Sequence, residues 1–407
     1  MFSAKYVGHA CIMLNFDGVK ILTDPWFGYP FYANNMIGYP PVVPLSEKEI
    51  SEISAIQISH LHQDHFCEKT LDLLPKNIDV LIGKYPDPLF LNKIEKKGFK
   101  NIIAIAEEVV DYRTIKIGIF LPEFFDFSFD SLSVFQFQGK SYFLNNDCLL
   151  KPPKYQKIKQ LFGEFEVGFL GYTMVNPYPS CYQLAIKTQQ EEFAATRLKC
   201  FKNVEYLDEV FEFKKIIPYA NGLRFFENET LYHNATFSDP VDLKTAFSKK
   251  EKICVLEPGD HFPLATEKSN PVFNYELTPM NQFISRQGFK LKHSFSHFGF
   301  LAPKDYETFL DAYLKEVSQK WKSDMAVQIN IIHGDSYITL FYIFKDGKLG
   351  RTKTLSIQPH LAISFKAEWL NEAIHKKISM LALYFNFNFH VQIFDPQLKD
   401  QYWVHGW

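Results

Sequence analysis

The stretch Ala55-Ile56-Gln57-Ile58-Ser59-His60-Leu61-His62-Gln63-Asp64-His65 decides the reading of this chain. Its first four residues form the apolar segment of a buried strand, and the histidines begin on the loop leaving that strand's C-terminal end, where α/β layers place their chemistry. Three imidazoles and a carboxylate fall within six residues, in a chain with only 13 His among 407 residues. Chance enrichment of a polar loop is a poor explanation of that density. Neutral imidazole nitrogen and carboxylate oxygen suit zinc, iron or manganese, and two ligands one residue apart can clamp one ion while the next two reach a neighbour. Asp64 and His65 are expected to open a helix that runs to Leu74.

The pattern His-x-His-x-Asp-His stands between Gly8-His9-Ala10-Cys11 with Ile21-Leu22-Thr23-Asp24-Pro25-Trp26 on one side and Leu144-Asn145-Asn146-Asp147-Cys148 on the other. Together these motifs resemble the metallo-β-lactamase superfamily. They are most similar to the metallo-β-lactamase-type module of the CMP-N-acetylneuraminate hydroxylases, and more distantly to the ascorbate-6-phosphate lactonases and N-acylphosphatidylethanolamine phospholipases D. The resemblance implies an α/β fold, a four-layer αββα sandwich with the metal at one edge where strand ends meet, and it runs weakly to the C-terminus.

In the family pattern one ion takes the two loop histidines and a third His, the other takes the Asp and His that follow and a last His, and an Asp bridges them. On that pattern His60, His62, Asp64, His65 and the bridging Asp147 are metal ligands. The sequence departs at the other two places. It has no histidine between His65 and His233, and Asp126 falls where the hydroxylases carry the third one, with Glu123 and Asp130 as neighbours able to serve. The last place falls on Ala220, which cannot bind a metal; Glu229, His233 and His261 are alternatives, each more readily structural. Asp64 and His9 are the candidate catalytic residues, His9 through a hydrogen bond beside the site. Three convergent carboxylates, Asp64, Asp126 and Asp147, would repel one another unless neutralised, which favours two divalent ions over one. Two imidazoles with a carboxylate suit iron, and zinc or manganese also accept such a set.

Composition fits a large enzyme, with 46% hydrophobic residues and 44 basic against 46 acidic side chains. That balance offers no polyanion signature, so neither nucleic acid nor an anionic membrane is expected as a partner. No run reaches the roughly 18 apolar residues of a membrane span. The six cysteines show no Cys-x-x-Cys pairing and read as reduced thiols of a cytoplasmic protein. The 41 Phe read as core filler in place of Leu.

Apolar runs around Asp17-Gly18 signal a hairpin, so the metal domain is expected to begin at the start of the chain. Strand and helix signals then alternate through 79–83, 88–97 and 102–105, and a second hairpin turning at Gln138-Gly139-Lys140 delivers Asp147. A strand at 166–171, a helix from Tyr182 to Phe201 and a strand at 215–222 follow. Charge and proline rise from Ser248 to Asn270. The expected organisation is a metal-binding catalytic domain at 1–265, a connecting segment at 266–300 and a small α+β accessory domain at 301–407. In that last domain helices at 305–321 and 367–383 flank strands at 326–332, 337–344 and 352–357.

Two functions follow as expectations. The first is a non-haem iron oxygenase acting on a small molecule; no Cys-x-His with a partnering Cys-x-x-His is present, so a separate electron-transfer protein or reducing co-substrate would supply electrons. The second is a zinc or manganese hydrolase of a phosphoester, lactone or amide.

Overall fold

The computed structural model describes residues 1–31, 35–123, 130–226, 230–264, 299–318, 324–376 and 389–394. Asp17 and Gly18 both take positive φ, 53° and 97°, as a two-residue type I′ hairpin requires, and they join β2 (Cys11–Phe16) to β3 (Val19–Thr23). β1 (Phe2–Gly8) precedes them and turns into β2 through Gly8 and His9, also at positive φ. A Cβ on Gly8 would lie 2.9 Å from Val42, so the turn accepts no larger residue without movement. Beyond the short β4 (Met36–Gly38), the chain alternates helices α1 (Glu47–Ser51), α2 (Glu68–Leu73) and α3 (Leu89–Lys96) with strands β5 (Ala55–Gln57), β6 (Asp79–Gly83) and β7 (Asn101–Ile105). Strands β3, β5, β6 and β7 pair in parallel.

The second sheet contains β8 (Val109–Tyr112), β9 (Ile115–Phe120), β10 (Leu132–Phe137), β11 (Lys140–Leu144), β12 (Glu164–Gly171) and β13 (Lys215–Tyr219), in the order β13-β12-β11-β10-β9-β8. The first sheet runs β15-β1-β2-β3-β5-β6-β7, with β14 (Leu223–Phe225) paired apart with β4, and β15 (His261–Phe262) on the outer edge. The period of two along each strand sends alternate residues to opposite faces. Thus Leu14, Phe16, Ile21 and Leu81 of the first sheet meet Ile117, Ile119, Phe135 and Ile217 of the second. Met13, Leu22, Val80 and Ile82 pack outward on Leu71, Phe90 and Ile94 of the helices. Val134, Phe143, Phe165 and Ile216 face Tyr155, Ile158, Val204, Leu207 and Phe211 of α4 (Pro152–Phe162) and α5 (Ile186–Phe211), with Leu243 of α6 (Pro240–Ala246) beside them. Helix, sheet, sheet, helix is the expected four-layer αββα sandwich. Phe143, Phe165, Phe211 and Phe213 pack on one another with centroids 4.6 to 6.1 Å apart, so phenylalanine serves here as core filler.

Several local expectations change. α2 begins at Glu68, after a turn in which the His65 and Phe66 amides donate to the His62 carbonyl, so Asp64 and His65 precede the helix rather than open it. Successive helical residues diverge by about 100°, whereas this turn lets both side chains point one way. The helix expected at 182–201 runs from Ile186 to Phe211. Strands β8 and β9 and helix α4 arise where no element was expected.

The C-terminal α+β domain contains α7 (Pro303–Ser318), β16 (Met325–His333), β17 (Ser336–Lys345), β18 (Lys348–Thr352), β19 (Leu361–Lys366), α8 (Ala367–Lys376) and β20 (Phe389–Ile393). The strand expected at 352–357 is instead β18, which ends at Thr352 after the turn Asp346-Gly347. Leu310 and Leu314 of α7 and Leu370 of α8 pack on Val327, Ile329 and Ile331 of the sheet. The same cluster takes in Trp26, Met36, Leu223 and Phe225 of the sandwich. A parallel bridge between Tyr182 and Val391 also joins the two parts, with Val391 N–H donating to the Cys181 carbonyl at 2.8 Å. The segment 266–300 lies almost wholly outside the described residues.

Candidate metal centre

Five strand ends converge at one edge of the sandwich. β1 delivers His9, β3 delivers Asp24, β5 delivers Ser59 to His65, β11 delivers Asp147, and β13 ends at Tyr219 beside Ala220. The potential ligands form two groups, His60 with His62 and Asp147, and His9 with Asp64 and His65; within each group the ligand atoms lie within 4.8 Å of one another.

In the first group His60 Nε2 lies 2.9 Å from His62 Nδ1 and 3.7 Å from Asp147 Oδ2. In the second, His9 Nε2 lies 3.1 Å from Asp64 Oδ2 and 3.3 Å from His65 Nε2, which itself stands 3.6 Å from Asp64 Oδ2. Asp147 Oδ2 is also 3.6 Å from His65 Nε2, so one carboxylate oxygen stands almost equally far from a nitrogen of each group. Ligand atoms bound at about 2.0–2.2 Å to one ion lie roughly 3.0–3.5 Å apart; the spacings here, 2.9 to 3.7 Å, lie near that range, and Asp147 is close to both groups.

The imidazoles are held from behind. His65 Nδ1 stands 2.8 Å from Asp24 Oδ2, and the Ser59 hydroxyl donates to the same oxygen at 2.8 Å while its amide donates to Oδ1 at 2.7 Å. His60 Nδ1 lies 2.9 Å from that hydroxyl. Placing N–H on both Nδ1 atoms satisfies the whole network and leaves both Nε2 lone pairs facing the centre, the tautomer that a metal requires. Asp24, fully buried in the Asp24-Pro25-Trp26 segment, therefore orients His65 directly and His60 through Ser59.

Burial pushes the Asp24 carboxyl up to about 6, and it pushes the His65 imidazole down to about 3, keeping the ring neutral. Burial also works against ionised Asp64, but His65, His9 and His62 outweigh it and hold that carboxyl well below its usual range. Asp147 is driven the other way: although 39% of its side chain is open to solvent, the surrounding protein desolvates its carboxyl, and the charges of Asp64, Asp130 and Asp24 add to the effect. This excess of negative charge around Asp147 is what a cation would relieve.

His9, expected only to hydrogen-bond nearby, brings Nε2 into the inner group. Its carbonyl accepts from the Ala220 amide at 3.1 Å, so it stands against the residue on which the family's last histidine falls. An imidazole from β1 thus stands beside the end of β13, where the sequence offers none. Sequence reading missed this because the two residues are neighbours only across the two sheets. Asp130 lies on the Nδ1 side of His60, 3.7 Å away, and not among the converging atoms. His233 is buried against Ser180, and His261 is exposed on β15, so neither joins the centre. Asp126 and Glu229 lie outside the described residues.

Residues 3–120 match the family model described as the beta-lactamase superfamily domain. This part of the chain resembles β-lactamase superfamily domains. The chain is 24% identical over 247 residues to a protein of Mycobacterium tuberculosis (strain ATCC 25618 / H37Rv) named as a Rieske 2Fe-2S iron-sulfur protein, covering 58% of this chain and 47% of that one. It is 24% identical over 246 residues to the 4-amino-L-phenylalanyl-[CmlP-peptidyl-carrier-protein] 3-hydroxylase of Streptomyces venezuelae, covering 54% of this chain and 44% of the relative. It is 33% identical over 100 residues to the cytidine monophosphate-N-acetylneuraminic acid hydroxylase of Asterias rubens, covering 23% and 15%. The chain therefore spans less than half of each relative. The hydroxylase resemblance read from the motifs is borne out. No helix among the described residues is long and apolar enough to cross a membrane.

Proposed function

We propose that this chain is a metal-dependent oxygenase with a dinuclear iron centre, hydroxylating a small molecule with electrons taken from a separate protein. The observation that carries the reading is the composition of the two groups. Each contains two imidazoles and one carboxylate, with no thiolate, the donor set of oxygen-activating ferrous sites. Two relatives named as hydroxylases, and one named for a Rieske centre, support redox chemistry. No Rieske-type ligand motif is spelled in these 407 residues, so the electron source lies outside them.

Bound ions would supply oxygen activation. The chain's own contribution is to hold the ions and orient them. Asp24 and Ser59 fix the tautomers of His65 and His60, the buried His9, Asp64 and His65 would hold the inner ion, and His60, His62 and Asp147 would hold the outer one. His62 and Asp147 are the least buried of the six, so substrate and reductant reach the centre from the outer group. Asp126, as in the sequence reading, is proposed as a further carboxylate for the outer ion.

The test is reconstitution of the metal-free protein with ferrous iron under anaerobic conditions, followed by oxygen and a chemical reductant. Two irons per chain, spin coupling and reductant-dependent oxygen uptake are expected. Tight zinc binding with no redox response would replace this reading with the hydrolase, in which the ions activate water for attack on a phosphoester, lactone or amide.

A further inference from the structure

His60 and His65 each anchor the ring nitrogen that faces away from the centre; His9 does not. Its Nδ1 is buried and has no hydrogen-bond partner among the described residues, whereas a metal-bound imidazole ordinarily donates its second N–H to a carboxylate, carbonyl or water. Something other than a hydrogen bond must set the direction of this ring.

Trp26 is placed to do so. Its ring meets the His9 ring edge-on, with centroids 5.5 Å apart and planes at 87°. The indole is itself immobilised. It is fully buried, its Nε1–H donates to the Tyr29 carbonyl at 2.8 Å, and Phe31 packs on it at 5.4 Å. A Cβ on Gly38 would come within 3.0 Å of it, so the indole has no slack on that side. His65 meets the His9 ring as well, at 4.9 Å, but His65 belongs to the same ion. The segment Asp24-Pro25-Trp26 thus orients both histidines of the inner group, one through a carboxylate and the other through a ring edge.

Trp26 also belongs to the hydrophobic cluster built mainly from the C-terminal domain, with Tyr306, Leu310 and Leu314 of α7 and Leu370 of α8. We infer that Trp26 is a positioning residue for the inner ion, holding His9 by ring packing alone, and that the C-terminal domain supports inner-ion occupancy through it. This inference rests on the dinuclear reading above and assigns the accessory domain a task within it.

Manganese(II) titration of the full chain, read by elemental analysis and electron paramagnetic resonance, tests the inference without an assay of turnover. Wild type should hold two ions with a spin-coupled signal; if it holds none, the dinuclear reading itself fails. Trp26→Leu should weaken the inner ion by roughly 10- to 100-fold, the scale of lost orienting partners, while the outer ion binds as before. The coupled signal should give way to that of an isolated ion. Trp26→Phe keeps an aromatic edge and should show a smaller loss; it is the variant to read if Trp26→Leu does not fold. Leu310→Ala, far from any ligand in sequence but in the same cluster, should lower inner-ion affinity several-fold at unchanged outer affinity. Inner-ion affinity equal to wild type in a folded Trp26 variant would overturn the role of the indole. Equal loss of both ions would show general loosening instead.

Discussion

The inner and outer groups have the same donor set but opposite surroundings. His9, Asp64 and His65 are buried, and the ring of His65 is locked to Asp24, whereas His62 and Asp147 of the outer group are only partly covered. The inner group comes from β1 and from the turn before α2, both pinned by the sandwich core; the outer group comes from two loops, at His60 to His62 and at Asp147. Buried ligands cannot be satisfied by water when the ion leaves, so losing the inner ion exposes their unpaired charges and lone pairs to a low dielectric. Of the outer ligands, His62 and Asp147 can rehydrate, and only His60 is buried. One ion is therefore expected to behave as part of the fold and the other as an exchangeable, reactive ion.

The largest effect should come from breaking the element common to both. Asp147→Asn removes the charge of the carboxylate that, among the described residues, stands 3.6 to 3.7 Å from a nitrogen of each group. Both ions should be lost or strongly weakened, and any oxygen uptake should vanish. Normal content of both ions in that variant would remove Asp147 from the centre.

Next comes the asymmetry itself. Removal of metal by a chelator should take the outer ion first, and only removal of the second should lower the melting temperature markedly, since a ligand of the native state stabilises it by mass action. His65→Ala should cost the inner ion and stability together, whereas His62→Ala should cost the outer ion with little change in melting temperature. Melting curves paired with elemental analysis check both, and equal melting shifts would mean that the two groups do not differ in kind.

The legibility of this molecule followed sequence distance. The outer pair and the inner Asp64-His65 lie in one eleven-residue stretch, so their ligand chemistry could be read directly; the hairpin at Asp17-Gly18 was equally plain because its signal is local. His9 was quoted as part of a motif, yet its place in the inner group depends on a contact with Ala220 across the sandwich, which no local pattern encodes. The unanticipated hairpin of β8 and β9 turns at Arg113-Thr114, which carries none of the usual glycine or asparagine turn chemistry, even though Ile115, Ile117 and Ile119 alternate as a strand should. The end of α5 at Phe211 is set by packing of Val204, Leu207 and Phe211 on the second sheet rather than by a sequence stop signal.

The finest distinction between the two groups lies behind them, at Asp24 and Ser59. Asp24 accepts from His65 Nδ1 directly, but reaches His60 only through the Ser59 hydroxyl. Asp24→Asn keeps the shape of the side chain and can still accept through one oxygen, yet its amide nitrogen would face the Ser59 amide N–H in one orientation, or both the His65 Nδ1–H and the Ser59 hydroxyl in the other. The inner ion should weaken by about 10- to 100-fold and the outer ion by less. Ser59→Ala removes only the link to His60 and one of several donors to Asp24, leaving the His65 contact in place, so the order should invert, with the outer ion losing more. Metal titration of the two variants side by side decides the point: if both weaken the same ion, the carboxylate and hydroxyl act as one rigid unit, and the separation into inner and outer supports does not hold.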